Sequence, residues 1–243
     1  MKNMGIRHLR MVSPVSFHPS DVTGIAHRGE DIIAQAQTYT DINAALADVH
    51  YVVGTTSRAR SGHPSSTDIR RIARDIVHRT AEGMVALVFG PEDNGLDNLI
   101  LDRCHTIVTL PTDPTYPSLN LAQAVLLFTY EIRAASAEHY PTAPRLPASS
   151  PPPATVESQE TFFETAEQAL RAIEFFKSDN ATQTMRVLRT LVHRAEANER
   201  ELALLTAIAR ETLHFLHRSN VQNTSESGEM SDSPPDTSDT DSY

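Results

Sequence analysis

The sequence predicts an α/β domain on a parallel sheet, followed by a small all-α module and a disordered acidic tail. Three observations carry this reading. In residues 1–137, short β-branched apolar runs alternate with segments of helical apolar spacing, the pattern of strand–helix–strand crossovers. In residues 156–218 the apolar residues fall only into helical stripes. Between the two, residues 138–155 hold six of the chain's fifteen prolines, the composition of an extended linker.

Taken in order, strands are predicted at 9–12, 37–40, 50–54, 85–89 and 106–110. Helices are predicted at 21–36, 41–47 and 68–82, where Ile69, Ile72, Ala73, Ile76 and Val77 share one face. Leu121, Ala124, Val125, Phe128 and Ile132 form a further helical face after the last strand. In the module, three stripes run through Phe162, Phe163, Ala166, Ala169 and Leu170, then Leu188, Leu191 and Val192, then Leu202, Leu205, Ile208, Ala209 and Leu213. Residues 219–243 are Ser, Thr, Asp and Pro with almost nothing to bury, too little to offset the entropy of ordering.

Composition narrows the function classes. The 243 residues are 40% apolar and 21% charged, and no apolar run approaches the roughly 18 residues of a membrane span. The basic start lacks a signal peptide's apolar core, and the single Cys104 makes no intramolecular disulfide. A cytoplasmic protein is expected, with no membrane partner. The net charge of −10 argues at first against nucleic acid, but six acids and no Lys or Arg lie in 221–243, so the rest carries only −4.

In parallel sheets ligands sit beyond the carboxyl ends of the strands, which directs attention to three loops. The first, Gly54-Thr55-Thr56-Ser57-Arg58-Ala59-Arg60, offers a glycine, hydroxyls and two arginines able to meet phosphate. The second, Gly90-Pro91-Glu92-Asp93-Asn94-Gly95, places a carboxylate between two glycines. The third, from Leu110 to Asn120, has three prolines and sets Ser118 at a helix N-cap with Asn120 in the first turn. Taken singly, the first two loops read equally well as solvated surface turns, and Ser118 as a plain cap. Neither a phosphate-loop nor a dinucleotide fingerprint occurs, which excludes kinases and nicotinamide enzymes. The histidines show no ligand spacing, so no metal site is expected.

Together, GTTSRAR, LVFGPEDNGL and CHTIVTLPTDPTYPSLNLAQAV, in this order and spacing, resemble motifs of the SpoU (TrmH) group of RNA ribose methyltransferases in the SPOUT superfamily, nearest its tRNA cytidine/uridine 2′-O-methyltransferase branch. The resemblance spans about residues 1–133, and MRVLRTLVHRAEANERELALLTAIARETL is similar to that branch's helical extension. It implies a SPOUT-type sheet with a C-terminal trefoil knot, a homodimer, S-adenosyl-L-methionine as cofactor and tRNA, not DNA, as partner. Carried over by position, the cofactor contacts are Thr55, Thr56, Ser57, Gly90, Leu110, Pro117, Ser118 and Leu119. Glu92, Ser118 and Asn120 match catalytic-site positions that orient the ribose or brace an arginine, and Arg58 and Arg60 are the expected RNA contacts.

The reaction implied is in-line methyl transfer to a ribose 2′-hydroxyl of anticodon-loop pyrimidines. One departure stands out: the family's first strand, its Asn-Pro-Gly-Asn motif and an arginine assigned as base would precede residue 9, and no match to them is present. Three readings follow: a tRNA methyltransferase whose first motif is missing because the sequence starts late, a homologue that binds cofactor or RNA without methyl transfer, and a methyltransferase acting on ribosomal RNA.

Overall fold

A computed structural model describes residues 1–16, 28–57, 63–139, 153–176 and 180–229. After a 3-10 turn at Lys2–Met4, the order is β1 (Arg10–Val12), α1 (Glu30–Ala34), β2 (Gln37–Tyr39), α2 (Ile42–Leu46), β3 (Tyr51–Thr55), β4 (Ser65–Ser66), α3 (Ile69–Arg79), β5 (Val85–Val88), α4 (Asn98–Leu101), β6 (Thr106–Val108) and α5 (Leu121–His139). The module contributes α6 (Val156–Ala172), α7 (Ala181–Ala195) and α8 (Glu199–Glu229).

Local chemistry sets the helix starts. Asp41, Asp68, Asp97 and Thr155 each accept a backbone N–H of the first turn they precede, satisfying donors that no intrahelical carbonyl reaches. Asn198 and Glu201 cap α8 reciprocally: the Asn198 side chain accepts from the amides of Arg200 and Glu201, and Glu201 accepts from the Asn198 amide. The 21–27 part of the predicted first helix lies outside the described residues. Two short elements, β4 and α4, have no counterpart in the sequence pattern because neither is long enough to show a period.

All strand pairs are parallel, but they form two sheets, β1-β2 and β4-β6-β3-β5, where the sequence suggested one. A side chain spans the division. Arg10 of β1 donates to both Asp48 oxygens at 2.5 and 2.8 Å and to the Ala45 carbonyl at 2.8 Å, and lies 3.3 Å from the Met84 sulfur just before β5. In the larger sheet β3 is central, and Val52 and Val53 are fully buried on opposite faces, as a strand covered on both sides requires. Val52 packs with Leu46, Val49, Leu96, Leu101 and Ile107, and Val53 with Ile72, Ile76, Val108 and Phe128. Gly54 lets β3 pass Cys104: a Cβ there would lie 2.6 Å from the Cys104 sulfur. Burial pushes the Cys104 thiol up to about 12, leaving it protonated and unreactive.

The module shares the α/β core. Val156 is buried in the Val52 cluster and its amide donates to the Val49 carbonyl at 2.7 Å, so the chain docks on the sheet where the Pro-rich segment ends; residues 140–152 of that segment lie outside the described residues. Arg186 of α7 grips Asp102 through Nε at 2.7 Å and a second nitrogen at 3.2 Å, while His63 contacts the same carboxylate at 2.7 Å. Burial alone would raise the Asp102 pKa, but the bonds from Arg186 and then His63 outweigh it and hold the carboxyl below its usual range. Arg79 sits 4.0 Å over the Tyr51 ring and pairs with Glu196, which occupies a left-handed conformation (φ 52°) at the end of α7.

The last helix corrects one expectation. It runs beyond Arg218 to Glu229, into the segment 219–243 expected to be disordered. An established helix adds each further residue without the cost of a new nucleus, so a polar stretch too poor to fold alone can extend α8. Residues 230–243 lie outside the described residues.

Between the sheet and α7, the rings of His105 and His193 stack at 4.3 Å and 20°. His105 accepts the Val52 amide at 3.1 Å. Burial lowers both pKa values, that of His193 from 6.5 to about 4 and that of His105 well below 6.5. An unfolded chain therefore binds protons at these rings below about pH 6.5 that the folded chain refuses until much lower pH, so their contribution to stability falls as pH drops. For His193 alone the loss reaches roughly 3 kcal/mol once both states are protonated. Thermal melts from pH 7.5 to 4 should show the melting temperature falling below pH 6.5, with a shallower fall in His193→Phe than in wild type. Equal slopes would contradict the assignment.

Candidate active site

The three strands whose loops bear the candidate residues, β6, β3 and β5, are adjacent and parallel, so their carboxyl ends and loops converge on one edge. They enclose a cavity of about 230 Å³. Its walls contain every predicted cofactor contact: Thr55, Thr56 and Ser57 from the first loop, Gly90 from the second, and Leu110, Pro117, Ser118 and Leu119 from the third. Glu92 also lines it.

The first loop is pinned to both neighbours. The Thr55 hydroxyl donates to the Val88 carbonyl at 3.0 Å, and the Thr56 amide to the Val108 carbonyl at 3.1 Å. The Thr55 hydroxyl is thus spent on joining β3 to β5. Arg58 and Arg60, the expected RNA contacts, lie outside the described residues.

The second loop folds onto itself. Gly95, at φ +67°, donates its amide to the Pro91 carbonyl at 2.9 Å, and a Cβ on Gly90 would fall 2.2 Å from the Gly95 carbonyl carbon and 2.4 Å from the Leu96 nitrogen. No residue with a side chain fits at 90 without moving backbone. This closure places Glu92 against the third loop. One Glu92 oxygen accepts from the Asn120 side-chain amide at 2.8 Å and from the Leu121 backbone amide at 3.0 Å. The carboxylate therefore sits on the positive end of α5.

In the third loop the structure corrects the cap. Helix α5 starts at Leu121, and Asn120 is the residue whose side chain caps it, accepting the Ala122 amide at 2.9 Å. Ser118 lies too far upstream; it lines the cavity, and its hydroxyl makes no hydrogen bond among the described residues. Asn120 is not part of the cavity wall: it acts there through Glu92. The loop itself is stiff. The Asp113 carboxylate accepts from the Thr115 amide and hydroxyl at 2.8 and 2.6 Å, and Thr112 donates to the Pro117 carbonyl at 3.1 Å.

Sequence reasoning missed Phe89, Asp93, Asn94, Leu121, Ala124 and Phe128 as cavity walls. Phe89 and Phe128 meet edge to face at 5.7 Å, and their apolar spacing read simply as core. Among the described residues the wall has two carboxylates, Glu92 and Asp93, and no Lys, Arg or His. Such a cavity repels a phosphate and suits a ligand bearing positive charge beside a flat apolar group. No group of His, Cys, Asp and Glu able to hold a metal occurs among the described residues.

Comparison with known proteins places the chain in a family. The profile of the SpoU rRNA Methylase family matches residues 1–130, and that of the C-terminal domain of tRNA methyltransferase TrmJ matches residues 157–224. The chain is 35% identical over 208 residues to the tRNA (cytidine/uridine-2′-O-)-methyltransferase TrmJ of Escherichia coli (strain K12), covering 86% of this chain and 85% of that protein. The corresponding protein of Klebsiella pneumoniae is 35% identical over 206 residues, with 84% of each chain covered. Among solved structures, TrmJ from Z. mobilis ZM4 superposes with a TM-score of 0.72 at 31% identity, over 87% of this chain and 89% of that one. A probable methylase family protein from Haemophilus influenzae Rd KW20 gives 0.52 at 28% identity, over 90% and 89%. The chain belongs to the SpoU methylase family, in its TrmJ-like branch.

Proposed function

We propose that this chain is an S-adenosylmethionine-dependent ribose 2′-O-methyltransferase of tRNA. The observation that carries the proposal is the cavity at the ends of β3, β5 and β6, which has two carboxylates, an apolar Phe89–Phe128 wall and, among the described residues, no cationic side chain. A sulfonium cofactor carries positive charge beside a flat purine, and the loop residues fit it. When bound, the cofactor supplies an electrophilic methyl group. Ser57 and Ser118 would offer it hydroxyls, Leu110, Pro117 and Leu119 would cover its apolar surface, and Gly90 would allow the backbone to come close. Glu92, fixed by Asn120 and the start of α5, holds the wall nearest the incoming ribose. Positioning of this kind supplies a large share of a methyl-transfer barrier.

The finer architecture is part of the same reading. The three loops form the family's trefoil knot. α5 carries apolar residues on two sides: Phe128 faces inward, whereas Leu126, Leu127 and Tyr130 are about half exposed. We assign that outer face to a second copy of the chain, giving a homodimer. In sedimentation experiments Leu126→Asp together with Tyr130→Asp should turn a dimer into monomers. A dimer that survives both changes would refute the assignment.

Cofactor binding separates the roles of the loop residues. Gly90→Ala should abolish S-adenosylmethionine binding in calorimetry, because its Cβ collides with backbone. Glu92→Gln should weaken binding about tenfold through loss of a charge-assisted contact. Ser118→Ala should weaken it by about 1 kcal/mol with little effect on the melting temperature, whereas Asn120→Ala, which removes the cap, should cost about 1 kcal/mol of stability. The reverse pattern, with Ser118→Ala destabilising and Asn120→Ala neutral, would return the cap to Ser118.

The activity is tested by incubating the chain with tRNA and the cofactor labelled in its methyl group. The expected product carries 2′-O-methyl groups on anticodon-loop pyrimidines, detected as linkages resistant to alkali. Label on a base, or on ribosomal RNA only, would overturn the reading. One observation favours a second reading: among the described residues the cavity wall has no His, Lys or Arg to take the ribose proton. A chain that binds cofactor and tRNA but transfers no label would belong to that non-catalytic class.

A further inference from the structure

We infer that Tyr116 is a stacking platform for an unpaired base of the RNA, and so a substrate-positioning residue; this rests on the RNA reading above. Three features of the third loop lead there. First, Tyr116 is 79% exposed, and its hydroxyl makes no hydrogen bond among the described residues, so the fold gains almost nothing from having a ring there. Second, the loop presenting it is already ordered. Pro111, Pro114 and Pro117 restrict its backbone. The Tyr116 amide donates to the Asp113 carbonyl at 3.0 Å, and the Asp113 side chain and Thr112 are both used in bonds within the loop. A ring held on a rigid loop loses little entropy when a partner stacks on it. Third, the next three residues, Pro117, Ser118 and Leu119, are cavity wall, so the ring stands at the margin of the site where the reacting ribose must arrive.

The chemistry of the partner follows from the same surroundings. In the reading above the target is a nucleotide of the anticodon loop, and unstacked bases in RNA loops are typically received by aromatic side chains. Stacking tolerates any base, since each has a π face. The Asp113 carboxylate, the one acid of the loop, is bonded to Thr115 and held below its usual pKa. It stays ionised, so the platform works through stacking and not through phosphate attraction.

The test measures binding of a fluorescent anticodon stem-loop to the full chain with S-adenosylhomocysteine present. Tyr116→Ala should weaken RNA binding roughly 10- to 100-fold, while Tyr116→Phe and Tyr116→Trp stay within about threefold of wild type. Cofactor affinity and oligomeric state should not change. An RNA that lacks the target base should bind wild type as weakly as intact RNA binds Tyr116→Ala, with no further loss when the two are combined. A ring that only supports the loop would not give that coupling. The proposal fails if Tyr116→Ala binds intact RNA like wild type, which leaves the RNA reading untouched. It also fails if the variant loses RNA binding only because it dissociates into monomers, which would make Tyr116 an interface residue. If the wild type holds cofactor yet binds no stem-loop, this proposal and the RNA reading fall together.

Discussion

The site depends on the closure between the second and third loops at the amino end of α5. Glu92 is the group through which that closure acts: one carboxylate oxygen accepts from both the Asn120 side chain and the Leu121 backbone amide. Those donors belong to a helix terminus that has no carbonyls of its own to satisfy them. The bond exists only because the backbone at Gly90 passes Gly95 closer than any Cβ permits. Two glycines and one carboxylate thus fix the distance between loops that come from different strands, and the cavity is the space they leave.

The scaffold explains why those loops can meet at all. β6, β3 and β5 are neighbours in one parallel sheet, so their carboxyl ends lie along the same edge. Thr55 and Thr56 then tie the central strand to the flanking pair. On the far side of the sheet the helical module is joined to the domain by Val156 in a shared core, by Arg186 on Asp102 and by the His105–His193 stack. Breaking a partly buried charge pair by removing one partner costs far more than an exposed pair would, so these ties set the module's placement. Its position relative to the cavity is a property of packed side chains.

Much of this was legible from residue types. Strand–helix alternation placed β1, β2, β3, β5 and β6 within a few residues, and the helices predicted from 41 and from 68 begin where Asp41 and Asp68 cap them. The first glycine of the second loop, with the hydroxyls and prolines of the other two, pointed to residues that do line one cavity. What escaped has physical causes. β4 and α4 are too short to show periodicity. Phe89 and Phe128 wear the same apolar pattern whether they fill a core or wall a cavity. Ser and Asn are both good caps, and only the position at which α5 begins decides between Ser118 and Asn120. The division of the sheet at Arg10 and the extension of α8 to Glu229 depend on long-range packing and on helix propagation, which no local window of sequence contains.

The central claim is that the cavity between Gly90 and Leu119 receives S-adenosylmethionine. The most direct measurement is a crystal structure of the chain grown with saturating S-adenosylhomocysteine. The account predicts density for the ligand between Ser57, Gly90 and Ser118, with its purine toward the Phe89–Phe128 wall and the Glu92–Asn120 bond intact. A cavity without ligand density in well-ordered crystals, or density at another place on the molecule, would contradict it.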